Sequence, residues 1–471
     1  MGQRPRVRVL EAWTLGRTHR MQEAVYRVLT LVSALVVDVP IGTNLGLLHL
    51  FWMVLCGKLL LSRGAIFPGL SAVGLSEGAV RRAWAALGRG SWTSDRLVRS
   101  WARVVEAEGY WQPHQHGGYQ PVAVDITAFW RPRLQGCPTS HYSATAGKAL
   151  PAIPLGIIAR VGSVGKQRFG LPRGLVRADP DDPSPGAHRR VLLKRAVELQ
   201  APTDVLVTDR EFTVGQVQAA GATAWVTRLL KNVTARRAEP PPYPGRGRPS
   251  THGDLVRPLA RRRKGQAIAA TPPDQTTHWT EHGSDGDRIL RAEQWTGLVL
   301  PDATPGSPTF TIVAISDPAY TEPLLVATPL ALSPQTLRDL YRDRWPIEQL
   351  PLAAKQMLGA ARQFVHEQET CQRFPELALL AGAALTYAAA TSPAVPTGSW
   401  DRQPQRTPGR LRRLLAQADF PQDFPLPARL RVKLAVTDHL PKGFRGQRRR
   451  PSPTSGPSSA SDHPRVATEV A

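Results

Sequence analysis

The sequence predicts an α/β protein in which a mixed β-sheet is flanked by helices. A helical region precedes this core and a β-rich insertion interrupts it. Three observations support the prediction. Apolar positions recur with helical spacing in residues 1–112, strand and helix patterns alternate in residues 119–230, and strand-like runs follow a Pro/Gly/Arg-rich stretch in residues 233–330. A chain of 471 residues can bury a sizeable core and form several domains.

Residues 1–118 are predicted to form a helical N-terminal domain. Apolar positions recur with helical period in VYRVLTLVSALVV, in residues 45–62 and in SEGAVRRAWAALG, where Ser76 can begin a helix. Residues 94–109 have the pattern of an amphipathic helix with arginines on its outer face. Outward arginines on short helices suit a DNA-binding module, and a plain helical bundle explains any one of these helices at least as well.

The region 119–232 is predicted to form the first part of the core. Its predicted elements run strand, strand, strand, helix, strand, helix, strand, at residues 119–130, 149–162, 166–178, 187–200, 203–209, 213–221 and 222–230. This order is the RNase H-like pattern, a mixed sheet with helices on both faces. In such a sheet the first and fourth strands are neighbours.

The rest of the chain divides into three predicted parts. Residues 233–330 form the β-rich insertion with a basic loop, and residues 331–395 return to the core with one helix from SPQTLRDLYRDRWPIEQL and a buried helix at 374–391. Residues 396–471 form a C-terminal segment whose basic, low-complexity tail is predicted to be disordered.

Composition points to a polyanionic partner. The formal net charge is +23 and arginine outnumbers lysine, which favours bidentate contacts with phosphate and hence nucleic acid. The three cysteines are far apart and form no CxxC pair, which argues against a structural zinc site and fits a reducing cytoplasm. No early apolar run resembles a signal peptide, and the apolar segment 45–62 is interrupted by polar residues, so no membrane span is expected.

A polar stripe is the strongest functional signal. The segment YRDRWPIEQLPLAAK carries four polar residues at helical spacing: Tyr341, Arg344, Glu348 and Lys355. In a continuous helix these side chains fall within roughly a 60° arc. A carboxylate flanked by cationic and hydroxyl donors suits a metal-assisted reaction on a phosphodiester. The alternative is a solvated helix face on which Arg344 and Glu348 form an ordinary ion pair.

Two prolines bear on this stripe. Pro351 lies inside the predicted helix and is expected to kink it, which moves Lys355 off the common face. Pro346 can mark the true start of the helix, in which case Tyr341 and Arg344 precede it.

Two aspartates follow apolar strand patterns. Asp125 lies inside the first predicted strand, in VAVDIT, and Asp209 ends the fourth, in VLVTDREF. Each could be a hydrogen-bonded aspartate at a strand end, but neighbouring first and fourth strands would bring the two carboxylates together, where they favour a cation between them. With Glu348 as a third carboxylate, the set suits Mg²⁺ or Mn²⁺, with two ions expected.

These residues carry a resemblance to a known family. The spacing of Tyr341, Arg344, Glu348 and Lys355 matches Y-x2-R-x3-E-x6-K, the signature of a subgroup of bacterial insertion-sequence transposases of the DDE type. Asp125 in DITAFWR resembles the first acidic motif of that family, and the aspartate of TDREF resembles the second. The resemblance covers about residues 119–390. It implies cut-and-paste transposition, in which cleavage at the element ends frees a 3′-OH and strand transfer into target DNA follows.

The resemblance also implies roles for single residues. Asp125, Asp209 and Glu348 would be the catalytic metal ligands. Five further residues are DNA-binding candidates: Tyr341, Arg344 and Lys355 near the cleavage site, Arg210 on the backbone, and Trp295, which would stack on a flipped base or else pack the insertion's own sheet. The expected partners are double-stranded DNA, as terminal inverted repeats and target, and a second copy of the chain in a homodimer that pairs the ends. The expected location is the nucleoid of a bacterial cytoplasm.

Other interpretations remain open from the sequence. The same residues fit a catalytically inactive DNA-binding protein that regulates transposition, and a structure-selective nuclease on the same fold fits less well. The histidines of WQPHQHGGY, His114 and His116, lack further ligands nearby in sequence, so we expect them to be solvated.

Overall fold

The computed structural model describes residues 5–430 except 136, 180, 244, 248, 284–285, 397–399 and 422, with side chains described from residue 19 onward apart from these positions and 283. The described residues form one compact unit. The predicted disordered tail lies outside the described residues, and the domain boundaries stay predictions.

Helices occupy both ends of the described chain and part of its middle. They are α1 (Pro5–Val36), α2 (Asn44–Leu55), α3 (Lys58–Leu61), α4 (Ile66–Ser71), α5 (Glu77–Arg89), α6 (Ser94–Glu108), α7 (Pro185–Glu198), α8 (Val214–Ala219), α9 (Pro334–Arg342), α10 (Pro346–Leu352), α11 (Gln368–Thr391) and α12 (Pro408–Leu415).

The strands cluster between α6 and α9. They are β1 (Trp111–Pro113), β2 (Gln120–Trp130), β3 (Ser140–Ser143), β4 (Lys148–Val164), β5 (Gln167–Arg177), β6 (Asp204–Thr208), β7 (Trp225–Arg228), β8 (Ala235–Arg237), β9 (Leu255–Val256), β10 (Arg261–Arg263), β11 (Gln266–Ile268), β12 (Gln275–Gly283), β13 (Gly286–Val299), β14 (Phe310–Ser316) and β15 (Leu324–Thr328).

One large mixed sheet organises these strands. Its central strands lie in the order β5, β4, β2, β6, β7, and the sheet then continues through β15, β14 and β13. The pairs β2–β6 and β6–β7 are parallel, and the remaining pairs along this path are antiparallel. The prediction of a mixed sheet flanked by helices is therefore confirmed. Most strands of the β-rich insertion extend that same sheet, whereas β10 and β11 form a separate two-stranded sheet.

Alternation along β2 directs its side chains to two different cores. Val122 and Val124 pack with α7 and α8 on one face. Ala123 and Phe129 face the opposite core, which also contains the buried residues of α1, α2, α5, α6 and α11. Because strand side chains alternate with period two, Asp125 shares the second face. The N-terminal helices thus pack in the same core as the site-bearing side of the sheet.

The chain does not form one continuous helix through the polar stripe. Helix α9 ends at Arg342, tight turns bond Arg344 N–H to Tyr341 O and Ile347 N–H to Arg344 O, and α10 begins at Pro346. Proline lacks the N–H that a continuing helix would need and suits the first helical turn. The interpretation in which Pro346 starts a new helix is confirmed, and the single-helix prediction is wrong.

A second irregularity lies beyond Pro351. Residues Ala353–Met357 form a π-helical turn, closed by a bond from Leu358 N–H to Ala353 O. Pro351 removes one backbone donor from α10, which accounts for the widened turn that follows. Gly382 of α11 packs against this turn so closely that a Cβ there would lie 3.1 Å from Ala354 N. Helix α11 therefore backs the segment that carries Lys355.

Helix α11 is the core helix of the described structure. It is long and apolar enough to cross a membrane by length and composition, yet 89% of its most apolar window is buried inside the protein. It is tied to the sheet by Arg177 at the end of β5, whose Nε and Nη2 each donate to the fully buried Glu376 at 2.7 Å. Arg177 Nη1 also donates to the half-exposed Glu369 at 3.0 Å.

This ion pair yields a stability prediction. Glu376→Gln leaves Arg177 with an incomplete buried partner, so we expect a loss of about 3–5 kcal/mol in the free energy of unfolding. The matched control Glu369→Gln removes a half-exposed partner and is expected to cost less than about 1 kcal/mol. Urea denaturation followed by circular dichroism measures both. Equal effects of the two substitutions would contradict this account of how α11 is anchored.

Candidate active site

Two carboxylates meet where the parallel strands β2 and β6 run side by side. The parallel register pairs Val124 with Thr208, so Asp125 and Asp209 are the next residues along the two chains. Parallel pairing keeps both chains running in the same direction, which brings these aspartates together at the end of β6. The sequence prediction that the two aspartates are neighbours is met by this register.

A third carboxylate joins them from the turn after β6. Asp209 Oδ1 accepts a hydrogen bond from Glu211 N–H at 2.8 Å, and this turn leads into α8, which Thr213 caps. The ligating oxygens of Asp125, Asp209 and Glu211 all lie within 4.8 Å of one another. Sequence reasoning missed Glu211. The signal was present, because an acid two residues after a strand-end aspartate is placed by the same turn.

The surroundings of these three carboxylates disfavour negative charge that no cation or proton neutralises. Burial, with the nearby Asp209 carboxylate adding to it, raises the pKa of Asp125 to about 7, and the Arg344 guanidinium opposes the shift. Burial and Asp209 also raise the pKa of Glu211, although Arg189 donates to it at 3.2 Å. Carboxylates this close and this poorly hydrated favour a proton or a cation between them.

Glu348 approaches the group through an arginine. Arg344 Nη2 donates to Glu348 Oε1 at 2.5 Å, and Arg344 Nη1 lies 3.8 Å from Asp125 Oδ2. The Arg344 side chain is only 11% exposed. Among the described residues, Glu348 lies outside the group of mutually close ligating oxygens. The predicted i,i+4 pair of Arg344 with Glu348 is thus present, and it reaches the acidic group rather than solvent.

Lys355 lies on the same side of β2. Its Nζ donates to Thr127 Oγ1 at 2.7 Å and sits 5.2 Å from the centre of the Phe129 ring. Burial lowers the pKa of Lys355 to about 8, with Asp125 opposing the shift. The irregularity expected at Pro351 takes the form of this π-helical turn, and Lys355 contacts the face of β2 that also carries Asp125.

Tyr341 lies on α9 beside the same arginine. The Arg344 guanidinium lies 5.7 Å from the centre of the Tyr341 ring, and Arg228 lies 5.9 Å from it. Tyr341 also lines a cavity of about 430 Å³ whose lining includes four arginines, Arg228, Arg288, Arg338 and Arg342, and two acids, Asp317 and Glu322. Arg288 and Arg338 are paired with Asp317, so Arg228 and Arg342 supply its excess positive charge. This basic cavity adjoins the residues that sequence reasoning selected.

The remaining two predicted residues differ in their surroundings. Arg210, between the acids of the β6 turn, is exposed at the surface. Trp295 is 1% exposed, packs in the core between the sheet and α7–α8, and donates from Nε1 to the backbone oxygens of Thr271 and Pro272 at 3.0 Å. Because both faces of its ring are covered, Trp295 has no face on which a base could stack. The stacking prediction for Trp295 is wrong, and the alternative in which it packs the insertion's sheet is correct.

The histidine prediction is also wrong. His114 and His116 are not free in solvent, because both imidazoles contact the buried carboxylate of Asp343, which sequence reasoning did not select. Asp343 is far away in sequence, in the turn between α9 and α10, so no local pattern pointed to it.

The acidic group can hold a metal ion. Its three residues offer carboxylate oxygens only, the donor type that hard divalent cations prefer over imidazole or thiolate sites. A cation there would also offset the unfavourable charge that raises the pKa of Asp125. The donor set therefore fits the predicted Mg²⁺ or Mn²⁺.

Comparisons with known proteins add no further assignment. No protein-family model matches the chain, and no curated protein matches it either.

The raised pKa of Asp125 yields a prediction for the metal-free protein. A folded-state pKa near 7 against an ordinary value near 4 means that folded protein loses stability as pH rises between about 4 and 7. Asp125→Asn removes that titration, so at pH 8 we expect the variant to be more stable than wild type by about 1–3 kcal/mol, with a smaller gap at pH 5.

Thermal melts in EDTA at the two pH values measure this gap. The exposed Asp302→Asn serves as the matched control and is expected to change stability little at either pH. A destabilised Asp125→Asn at pH 8, or a stability gap independent of pH, would contradict the conclusion that the ionised Asp125 carboxylate destabilises the folded protein.

Proposed function

We propose that the protein is a DDE-type DNA transposase that cleaves at the ends of an insertion sequence and joins them to target DNA. The observation that carries the proposal is the meeting of Asp125 and Asp209 on adjacent parallel strands, with Glu348 connected to Asp125 through Arg344. These are the acids that the family signature selects, and they come from three distant parts of the chain.

The strand arrangement supports an RNase H-like catalytic core. The first three strands of the core, β2, β4 and β5, pair antiparallel, and the fourth, β6, pairs parallel with the first. Helices α7 and α8 cover one face, and α10 and α11 cover the other. Neighbouring first and fourth strands are the feature that such a core needs to join its two aspartates.

The cofactor in this proposal is Mg²⁺ or Mn²⁺, with two ions expected. Asp125, Asp209 and Glu211 would hold it, and Glu348 would become a ligand once released from Arg344. Such ions supply a nucleophile at neutral pH and stabilise charge on the leaving oxygen. The proton that Asp125 retains below about pH 7 would leave on binding, because a ligand carboxylate must be ionised.

Arg344 has a defined part in this scheme. Its guanidinium balances Glu348 and Asp125 in the protein alone. With the carboxylates neutralised by cations, the guanidinium would be available to a DNA phosphate, which an arginine can bind bidentately. Arg344 would therefore exchange a protein partner for substrate rather than binding DNA from a free surface position.

Lys355 and Tyr341 would position the DNA backbone on either side of Arg344. Lys355 is half-buried beside Thr127, where a nearby phosphate would restore its full charge. Tyr341 borders the arginine-lined cavity, which suits the phosphates of a strand that leaves the cleavage point. Exposed Arg210 would contact the backbone from the β6 turn.

Double-stranded DNA is the proposed partner, since the net charge of +23 favours a polyanion. End pairing requires two copies of the chain, so a homodimer on DNA is part of the proposal. The natural setting of such a reaction is the nucleoid of a bacterial cytoplasm.

Glu348→Gln is the test of catalysis. We expect cleavage of DNA that carries the element's terminal repeats to fall by at least about 10³-fold in Mg²⁺, because an amide is a poor ligand for a hard cation. Binding in a gel shift is expected to stay within about threefold of wild type, since the substitution preserves shape. The matched control is Glu239→Gln, an exposed glutamate of the insertion, which is expected to cleave normally.

The outcomes separate the rival functions. Full cleavage by Glu348→Gln would remove Glu348 from the catalytic set. Wild-type binding without cleavage in Mg²⁺ or Mn²⁺ would identify an inactive DNA-binding protein. Cleavage that ignores the terminal repeats would identify a structure-selective nuclease.

A further inference from the structure

A second cluster of ligating side chains lies at the turn between α9 and α10. His114 and His116 follow β1, where backbone bonds from His114 N–H to Val161 O and between His116 and Tyr119 hold their loop against the sheet. The third member, Asp343, follows the last residue of α9 and is 2% exposed. A turn and a loop that are distant in sequence thus place their polar side chains together.

The two imidazoles approach the same carboxylate oxygen. His114 Nδ1 lies 2.8 Å and His116 Nε2 lies 2.6 Å from the same atom, Asp343 Oδ2. The two imidazole planes are inclined by 81° with centroids 6.3 Å apart, so the rings approach edge-on rather than stacked. All three atoms lie within 4.8 Å of one another. The two N···O distances are those of hydrogen bonds, and an ion would take the place of the protons in these bonds.

Neighbouring groups orient the members of this cluster. His114 Nε2 lies 2.5 Å from Ser163 Oγ, a hydroxyl that can donate to this nitrogen or accept from it. By accepting from Nε2 it would let an ion replace the proton that Nδ1 donates to Asp343. Arg168 lies 3.8 Å from Asp343 Oδ1, on the oxygen that the imidazoles do not contact. Ligands of bound metals are held in this way by partners on their second heteroatom.

We propose that His114, His116 and Asp343 form a metal site for Zn²⁺ or a similar borderline transition metal ion. Two imidazole nitrogens and one carboxylate oxygen suit such ions, whereas Mg²⁺ prefers oxygen donors. The two histidine side chains are 23% and 24% exposed, which leaves room for water in the remaining coordination position. This site is chemically distinct from the all-oxygen group of Asp125.

The position of the cluster gives the ion a structural role. Asp343 directly precedes Arg344, and α10 with Glu348 begins three residues later. An ion shared by Asp343 and the two histidines would tie this turn to the loop after β1. The bound ion would thus fix the position of the segment that carries Arg344 and Glu348. The assignment of the site does not depend on the proposed transposase activity.

The test is a Co²⁺ titration of the full chain after dialysis against EDTA. Excess Mg²⁺ is present throughout, so that oxygen-only sites are occupied. We expect one equivalent of Co²⁺ to bind, with a visible d–d band that Zn²⁺ abolishes. His116→Gln keeps a hydrogen-bond donor near Asp343 but removes the imidazole, so it is expected to weaken binding by at least about tenfold.

Controls locate the ion. His282→Ala removes an exposed histidine paired with Asp287, and Asp125→Asn alters the acidic group, and both are expected to keep the band. Circular dichroism of His116→Gln reports whether the variant is folded, and His114→Gln gives an independent repeat. Absence of the band in wild type, or its survival in both histidine variants, would overturn the proposal and leave a hydrogen-bonded clamp around Asp343.

Discussion

The parallel pairing of β2 with β6 is the constraint on which the rest of the site depends. It alone brings Asp125 and Asp209, which are 84 positions apart in the sequence numbering, to adjacent places. The two valine-rich strands are buried on both faces, so their register is tightly specified. Burial that stabilises the strands also desolvates the acids, and the raised pKa of Asp125 is a direct consequence. Burial of β2 and β6 therefore stabilises the sheet and also makes negative charge on the neighbouring acids unfavourable. A cation bound between the carboxylates would offset that charge.

The second half of the site depends on how the chain departs from regular helix. Pro346 starts α10 anew, and the wide turn after Pro351 returns Lys355 to the face of β2. With these turns, Lys355 contacts Thr127 while Arg344 lies 3.8 Å from Asp125. Irregular turns of this kind are often found at functional sites, because they aim side chains that a regular helix would spread along its axis.

Much of the fold was predictable from the sequence, because buried strands and capped helices leave strong local patterns. The strands around Asp125 and Asp209 are present with nearly the predicted bounds. Contacts between residues far apart in the sequence were harder to predict. Asp343 meets two histidines more than two hundred residues away, and no local period encodes that meeting. The stacking prediction for Trp295 was wrong for a related reason. A tryptophan between strands gives the same sequence pattern whether its ring faces solvent or the core.

The central claim is that the carboxylates of β2 and the β6 turn form one cation site. Titration of Mn²⁺ into the metal-free protein, with free Mn²⁺ followed by electron paramagnetic resonance and proton release followed in weak buffer, tests it most directly. The account predicts saturable binding that releases close to one proton at pH 6 and almost none at pH 8, with both effects lost in Asp209→Asn. Mn²⁺ binding that is unchanged in Asp209→Asn, or that releases no proton at pH 6, would contradict it.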